Sequence, residues 1–383
     1  MNNFIFQNPT KLIFGKGTIA ATGKEIPADK RVMLTYGGGS IKTNGVYDQV
    51  KESLKGHFVI EFAGIEPNPT YETLMKAVAI AKEQHIDFFL AVGGGSVIDG
   101  TKFIATAAIY QGDPWEFMMD PSKAIDALPL ASVLTLPATG SEMNNGSVIS
   151  KKATHEKLAF MNPKTYPVFS VLDPEVTYSL PKKQIANGVV DAFVHVCEQY
   201  MTYPSNSMVE DRFAEGILST LTEIGEKIVT DNTNYDLMSN FMLSATMALN
   251  GFIAMGVPQD WATHMIGHEL TAFHGLDHAV TLAIVQPSLW RVMRNEKREK
   301  LLQYGARVWN ITQGSEEERI EKAIAQTEQF YRSVGINTKL SEYGIGNESF
   351  DAIVDRFTKR GWKLGERQSI TPELIREILN GCL

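Results

Sequence analysis

Two stretches of the chain follow one pattern: a short apolar run, then Gly-Gly-Gly-Ser, then a helical repeat. RVMLTY (31–36) leads into Gly37, Gly38, Gly39 and Ser40, and DFFLAV (87–92) leads into Gly93, Gly94, Gly95 and Ser96. A strand that turns on glycine and restarts as a helix needs a crossover before the next strand, so such units build a parallel sheet. HFVIEF (57–62), ASVLTLP (131–137) and VFSVLDP (168–174) supply more strands, and TYETLMKAVAIAKEQH supplies a helix between two of them. The opening FIFQNPTKLIFGKG reads as two short strands around a turn, an edge hairpin.

Past Pro174 the pattern changes. QIANGVVDAFVHVCEQYM, MVEDRFAEGILSTLTEIGEKIV and SEEERIEKAIAQTEQFYRSVG carry helical periodicity, and β-branched runs bounded by glycine are scarce. The expected architecture is an α/β domain over residues 1–178 and an all-α domain over 179–383, with a cleft between them, a common place for small ligands. A length of 383 residues suits two domains.

Composition removes several function classes. Lys and Arg number 36 against 44 Asp and Glu, a formal charge of −8, which disfavours nucleic acid and anionic membrane as partners. The two cysteines, Cys197 and Cys382, make neither a disulfide framework nor a zinc module, which fits a reducing compartment. No basic-then-apolar leader opens the chain and no apolar run is long enough to span a bilayer, so a cytoplasmic protein is expected.

The glycine turns suit a dinucleotide. Glycines let a backbone approach pyrophosphate oxygens, and the start of the following helix offers free N–H groups. The spacing in either turn is not G-x-G-x-x-G, and a tight turn that binds nothing is the alternative for each. In NAD-binding folds a carboxylate at a strand end grips the adenosine 2′-hydroxyl. The 37–40 turn has no acid; it offers Ser40 and Lys42, which favours the 2′-phosphate of NADP unless Lys42 is simply a solvated surface lysine.

Histidine placement is the sharpest chemical signal. Four of the eight histidines, His264, His268, His274 and His278, fall between 264 and 278. His264 and His268 are four apart on one helix face, as are Asp191 and His195 in the apolar NGVVDAFVHVCEQY. A buried aspartate needs a partner, and a divalent ion is one. One carboxylate with imidazoles suits Zn²⁺ or Fe²⁺ better than the oxygen-seeking Mg²⁺ or Ca²⁺. Unrelated core and surface histidines are the alternative.

Taken together, NPTKLIFGKG, TYGGGSIK, IEPNPTYETL, AVGGGSVIDGTKF, TLPATGSE, VLDP, NGVVDAFVH, WATHMIGHELTA and HGLDHAVTLAIVQP resemble the iron-containing alcohol dehydrogenase family, in its NADPH-dependent aldehyde reductase and butanol dehydrogenase branch. The resemblance spans essentially the whole chain. It implies the dehydroquinate synthase-like fold, a dinucleotide-binding α/β domain followed by a helical metal-binding domain. It implies Asp191, His195, His264 and His278 as metal ligands, with His268 beside them as a catalytic residue, a proton relay or a substrate contact. His274, which precedes Gly275, is the rival for the last ligand position; the spacing from His264, with the later Ala283 and Pro287, favours His278. Gly94, Gly95 and Ser96 match the pyrophosphate loop. Asp99 and Lys102 lie in the GGGSxxDxxK stretch, and Asp99 counts as both a catalytic and a cofactor-binding candidate. Thr135, Thr139 and Ser141 match a cofactor-lining segment, although TLPATGSE departs from the usual PTTAGTGSE. Lys157 and Asn68 match positions near the cofactor. The implied activity is metal-dependent hydride transfer between NADP(H) and small aldehydes or primary alcohols, in a homodimer. An NAD-dependent polyol dehydrogenase, a metal-dependent lyase on the same scaffold and a non-catalytic dinucleotide sensor are the rival readings.

Overall fold

The computed structural model describes residues 1–383. They fall into two compact units, one of Gln7–Pro181 with Asn232–Asn250, the other of Met1–Phe6, Lys182–Asp231 and Gly251–Leu383.

The first unit is α/β, as expected. Its strands are β1 (Lys11–Phe14), β2 (Arg31–Tyr36), β3 (Phe58–Phe62), β4 (Phe88–Gly94), β5 (Leu130–Leu136), β6 (Gly146–Lys151), β7 (Glu156–Met161) and β8 (Phe169–Leu172). Six form a parallel sheet in the order β1-β8-β5-β4-β2-β3. β4 is buried from Phe88 to Gly93, because helices cover both faces of a parallel sheet; this is why DFFLAV is continuously apolar rather than alternating. From β2 the chain steps outward to β3, then returns to the other side of β2 for β4 and β5. The order therefore reverses between β2 and β4, and in such sheets ligands bind outside the carboxyl ends of the strands at that reversal.

The N-terminal hairpin does not form. Only Lys11–Phe14 is a strand, and it pairs in parallel with β8, with Lys11 opposite Phe169. Asn8 prevents the first arm: its side chain accepts from the N–H of Thr10 and donates to the carbonyls of Met143 and Asn250, and Pro9 has no N–H to give a ladder. The antiparallel pair that does exist is β6 with β7.

The second unit is helical. Its centre is the helix Lys182–Tyr200, buried at nearly every position from Ile185 onward, as expected of a helix surrounded by others. Helices Met208–Thr230 and His278–Val292 pack on it, and Ala262–His274 packs on His278–Val292. The helix Tyr235–Ala248 lies in the α/β unit despite its place in the sequence. Thr246 Oγ1 donates to Glu142 Oε1 at 2.5 Å, and Asn232 Nδ2 donates to the Thr177 carbonyl at 2.9 Å. No helix is long and apolar enough to cross a membrane.

Candidate active site

In the α/β unit both glycine turns sit at the carboxyl ends of neighbouring strands, β2 and β4, on either side of the reversal. Their glycines have different reasons to be there. A Cβ on Gly93 would lie 2.5 Å from Val97 Cγ2, and one on Gly95 would lie 2.3 Å from Thr139 Oγ1, so the chain's own packing demands glycine. At Gly38 a Cβ would meet nothing within 4 Å, and its φ is not positive, so packing imposes no such demand. Open space beside a bare backbone is what a bound group needs. Gly39 takes φ 103°, a conformation side chains disfavour. Lys42 stands over the rings of Tyr36 and Tyr47, at 5.1 and 4.9 Å from their centroids. Both phenols donate to Glu61, at 2.9 and 2.8 Å, and Lys51 pairs with the same carboxylate, so the nearby acid is already occupied.

The turn at 139–146 is held from the helix Gly95–Ala107. Asp99 Oδ1 accepts from Ser141 Oγ at 2.5 Å and Asp99 Oδ2 from the N–H of Val148 at 3.0 Å. Lys102 Nζ donates to Ser141 Oγ, Asn144 Oδ1 and the Gly146 carbonyl at 2.8, 3.0 and 2.9 Å. Burial pushes the Asp99 carboxyl up, against the pull of Lys102, and pushes the Lys102 amine down to about 8. Both carboxylate oxygens of Asp99 are thus engaged inside the unit. Thr139 Oγ1 accepts the N–H of Ser141 at 3.2 Å, and Thr135 is buried in β5. Lys157 Nζ donates to Asn68 Oδ1 at 2.8 Å, which joins two candidates 89 residues apart.

In the helical unit, Asp191, His195 and His264 bring their ligand atoms within 4.8 Å of one another, all three buried. Asp191 Oδ1 lies 3.6 Å from His195 Nε2, 3.8 Å from His264 Nε2 and 3.8 Å from His278 Nε2. These separations exceed hydrogen-bonding reach. They approach the roughly 3.4 Å expected of two ligands that each stand about 2.1 Å from one tetrahedral ion. His264 Nε2 is buried without a hydrogen-bond partner, and the donor set of one carboxylate oxygen with imidazole nitrogens suits Zn²⁺ or Fe²⁺. Burial lowers the His264 pKa, but Glu198 and Asp191 raise it further, to about 9, so the surroundings favour positive charge at this point. The residues present fit a divalent ion.

His268 stands at the edge of this group, its ring centroid 5.1 Å from that of His278 and 6.1 Å from that of His264. His274 points elsewhere: its Nε2 bonds Ser349 Oγ at 2.8 Å. Glu198 was missed by the sequence reading and lies against His264. Its signal was present, since 191, 195 and 198 share one face of an apolar helix.

The sequence model of the family described as iron-containing alcohol dehydrogenase matches residues 9–174, and the model described as Fe-containing alcohol dehydrogenase family, C-terminal, matches 185–383. Over 382 residues the chain is 57% identical to the NADPH-dependent aldehyde reductase YqhD of Escherichia coli, with 99% of each chain covered. Over 388 residues it is 44% identical to the probable NADH-dependent butanol dehydrogenase 1 of Bacillus subtilis, with 100% of each covered. The crystal structure of E. coli K-12 YqhD matches with a TM-score of 0.99 at 56% identity, covering 100% of this chain and 99% of that one.

Proposed function

The chain belongs to the iron-containing alcohol dehydrogenase family, and from that premise we propose that it is an NADPH-dependent reductase of small aldehydes, running in reverse as a primary-alcohol dehydrogenase. The observation that carries the reading is the single carboxylate oxygen of Asp191 with three imidazole nitrogens 3.6–3.8 Å from it, Asp191, His195 and His264 being buried and His278 half-buried. Asp191, His195, His264 and His278 would hold the ion. When bound, the ion draws electron density from a carbonyl oxygen and NADPH supplies the hydride.

The chain's own residues bind, orient and move a proton. The N–H groups at the start of the helix Gly95–Ala107, reached through Gly94, Gly95 and Ser96, favour the pyrophosphate. Lys42, with Glu61 already engaged by Tyr36, Tyr47 and Lys51, favours the 2′-phosphate; Ser40 and the open backbone of Gly38 and Gly39, in the turn with Gly37, leave room for it. Thr135, Thr139 and Ser141 line the cofactor, with Lys157 and Asn68 beside it. Asp99 acts through Ser141 and is a positioning residue rather than a group that touches substrate. A ring nitrogen of His268 hands a proton to the oxygen that becomes the alcohol, directly or through one water. Alcohol oxidation releases a proton, so it gains as pH rises.

The ion is Fe²⁺ or Zn²⁺, since the ligand types suit both and availability selects between them. The protein works in the cytoplasm as a homodimer. Ile5, 99% exposed, and the neighbouring Phe4 and Phe6 supply apolar surface in support of association. Sedimentation at micromolar concentration tests the dimer.

Loss of NADPH absorbance with butanal tests the activity. Turnover should cease on chelation and return with Fe²⁺ or Zn²⁺. Full turnover by protein shown to hold no ion would refute the reading.

A further inference from the structure

Glu198 is buried in the last turn of the helix Lys182–Tyr200, three residues after His195 and seven after Asp191. Both of its carboxylate oxygens engage one residue. Oε1 accepts the backbone N–H of His264 at 3.2 Å, and Oε2 contacts His264 Nδ1. The carbonyl of Glu198 also accepts the N–H of Asp260 at 2.8 Å. Asp260 in turn accepts the N–H of Ala262 at 2.9 Å, at the start of the helix Ala262–His274. Glu198 therefore grips the beginning of that helix by backbone and side chain together. A carboxylate is well placed there, because the first turn leaves N–H groups without helical partners. Lys297 Nζ, at 2.8 Å from the other oxygen of Asp260, braces the same corner.

An ionised carboxylate only accepts hydrogen bonds, so the ring proton of His264 in this contact sits on Nδ1. Nε2, the other ring nitrogen, faces Asp191 Oδ1 and has no hydrogen-bond partner, so it is the atom an ion would take in exchange for any proton held there. We propose that Glu198 is the positioning residue of the metal centre: it fixes the tautomer and the ring plane of His264 so that Nε2 is presented as a ligand. This rests on the reading of Asp191, His195, His264 and His278 as ligands. Carboxylates that accept from the far nitrogen of a ligand histidine act in this way, and their loss costs about 10–100-fold in metal affinity.

The substitution Glu198→Gln separates positioning from packing. The amide oxygen keeps the backbone N–H of His264, which leaves the amide NH₂ facing Nδ1. Nδ1 must then accept, and the ring proton moves to Nε2. The fold keeps two hydrogen bonds and loses a buried charge, while the ligand atom is blocked. Zn²⁺ affinity measured by competition with a chromophoric chelator should fall about 10–100-fold, and the melting temperature of the ion-free variant should match or exceed that of the parent. Equal Zn²⁺ affinity in the two proteins overturns the proposal and leaves the ligand reading standing, whereas a parent that takes up no Zn²⁺ overturns both. Should the variant fail to fold, ¹⁵N-histidine spectra of the Zn²⁺-loaded parent decide: a His264 proton on Nδ1 supports the proposal and one on Nε2 overturns it.

Discussion

Replacing Lys102 by Met should erase a defined pH dependence of stability. Lys102 is fully buried, and burial outweighs the attraction of Asp99 and Glu142, bringing its pKa from the ordinary 10.5 down to about 8. Between those values the unfolded chain holds the proton more often than the folded one, so stability rises with pH through the window. At about 1.4 kcal/mol per pH unit the window is worth a few kcal/mol, most of it between pH 7 and pH 10. Lys102→Met has nothing to titrate there. Subtracting its unfolding free energy from that of the parent cancels the groups remote from this site, leaving Lys102 and the two carboxyls it is coupled to, Asp99 and Glu142. The difference should therefore climb by a few kcal/mol from pH 7 to pH 10. It should sit on a constant offset of about 1–3 kcal/mol, because the Gly146 carbonyl loses its lysine donor. Denaturant unfolding followed through fluorotryptophan at Trp115, the tryptophan of the α/β unit, reads the relevant transition. A difference that stays flat with pH, or falls, would mean that Lys102 keeps an ordinary proton affinity and that its burial is wrongly described.

Three further outcomes follow from the geometry. Asp191→Asn should reduce bound Fe²⁺ or Zn²⁺ below stoichiometry, because Asp191 Oδ1 is the atom common to all three imidazole distances; metal analysis showing full occupancy would refute this. Gly95→Ala forces a Cβ to within 2.3 Å of Thr139 Oγ1 and 2.9 Å of Thr139 Cβ, an overpacking worth about 1–3 kcal/mol in stability, with a raised KM for NADPH; an unchanged melting temperature would show that Thr139 moves freely. Lys42→Ala should weaken NADPH binding and leave NADH binding as it was, with the loss shrinking at high salt because Lys42 is exposed; an equal loss for both cofactors would remove the 2′-phosphate from its neighbourhood.

Some of this was legible in the residues alone, and the reason is periodicity. A parallel strand buried on both faces reads as an apolar run, so DFFLAV and its Gly-Gly-Gly-Ser turn announce a strand–turn–helix unit without outside help. Asp191 with His195, and His264 with His268, announce shared helix faces because four residues make about one turn. Spacing within an element says nothing about which elements meet. The strand Lys11–Phe14 was legible, but its partner was not: a free edge on β8 and the side chain of Asn8 decided for a parallel pairing over a hairpin. Helical periodicity in Tyr235–Ala248 gives no hint that Thr246 would bond Glu142, 104 residues away, and draw the helix into the α/β unit.

The candidate site divides along the same line. Sequence supplied the donor types, and so the class of ion that oxygen and imidazole nitrogen suit. Only the folded chain could bring Glu198 to His264 across 66 residues, or set Lys102 under the Ser141 turn, since both contacts join elements through a shared buried space. Local pattern reports which face of an element avoids water; packing at close range decides what that face finds there.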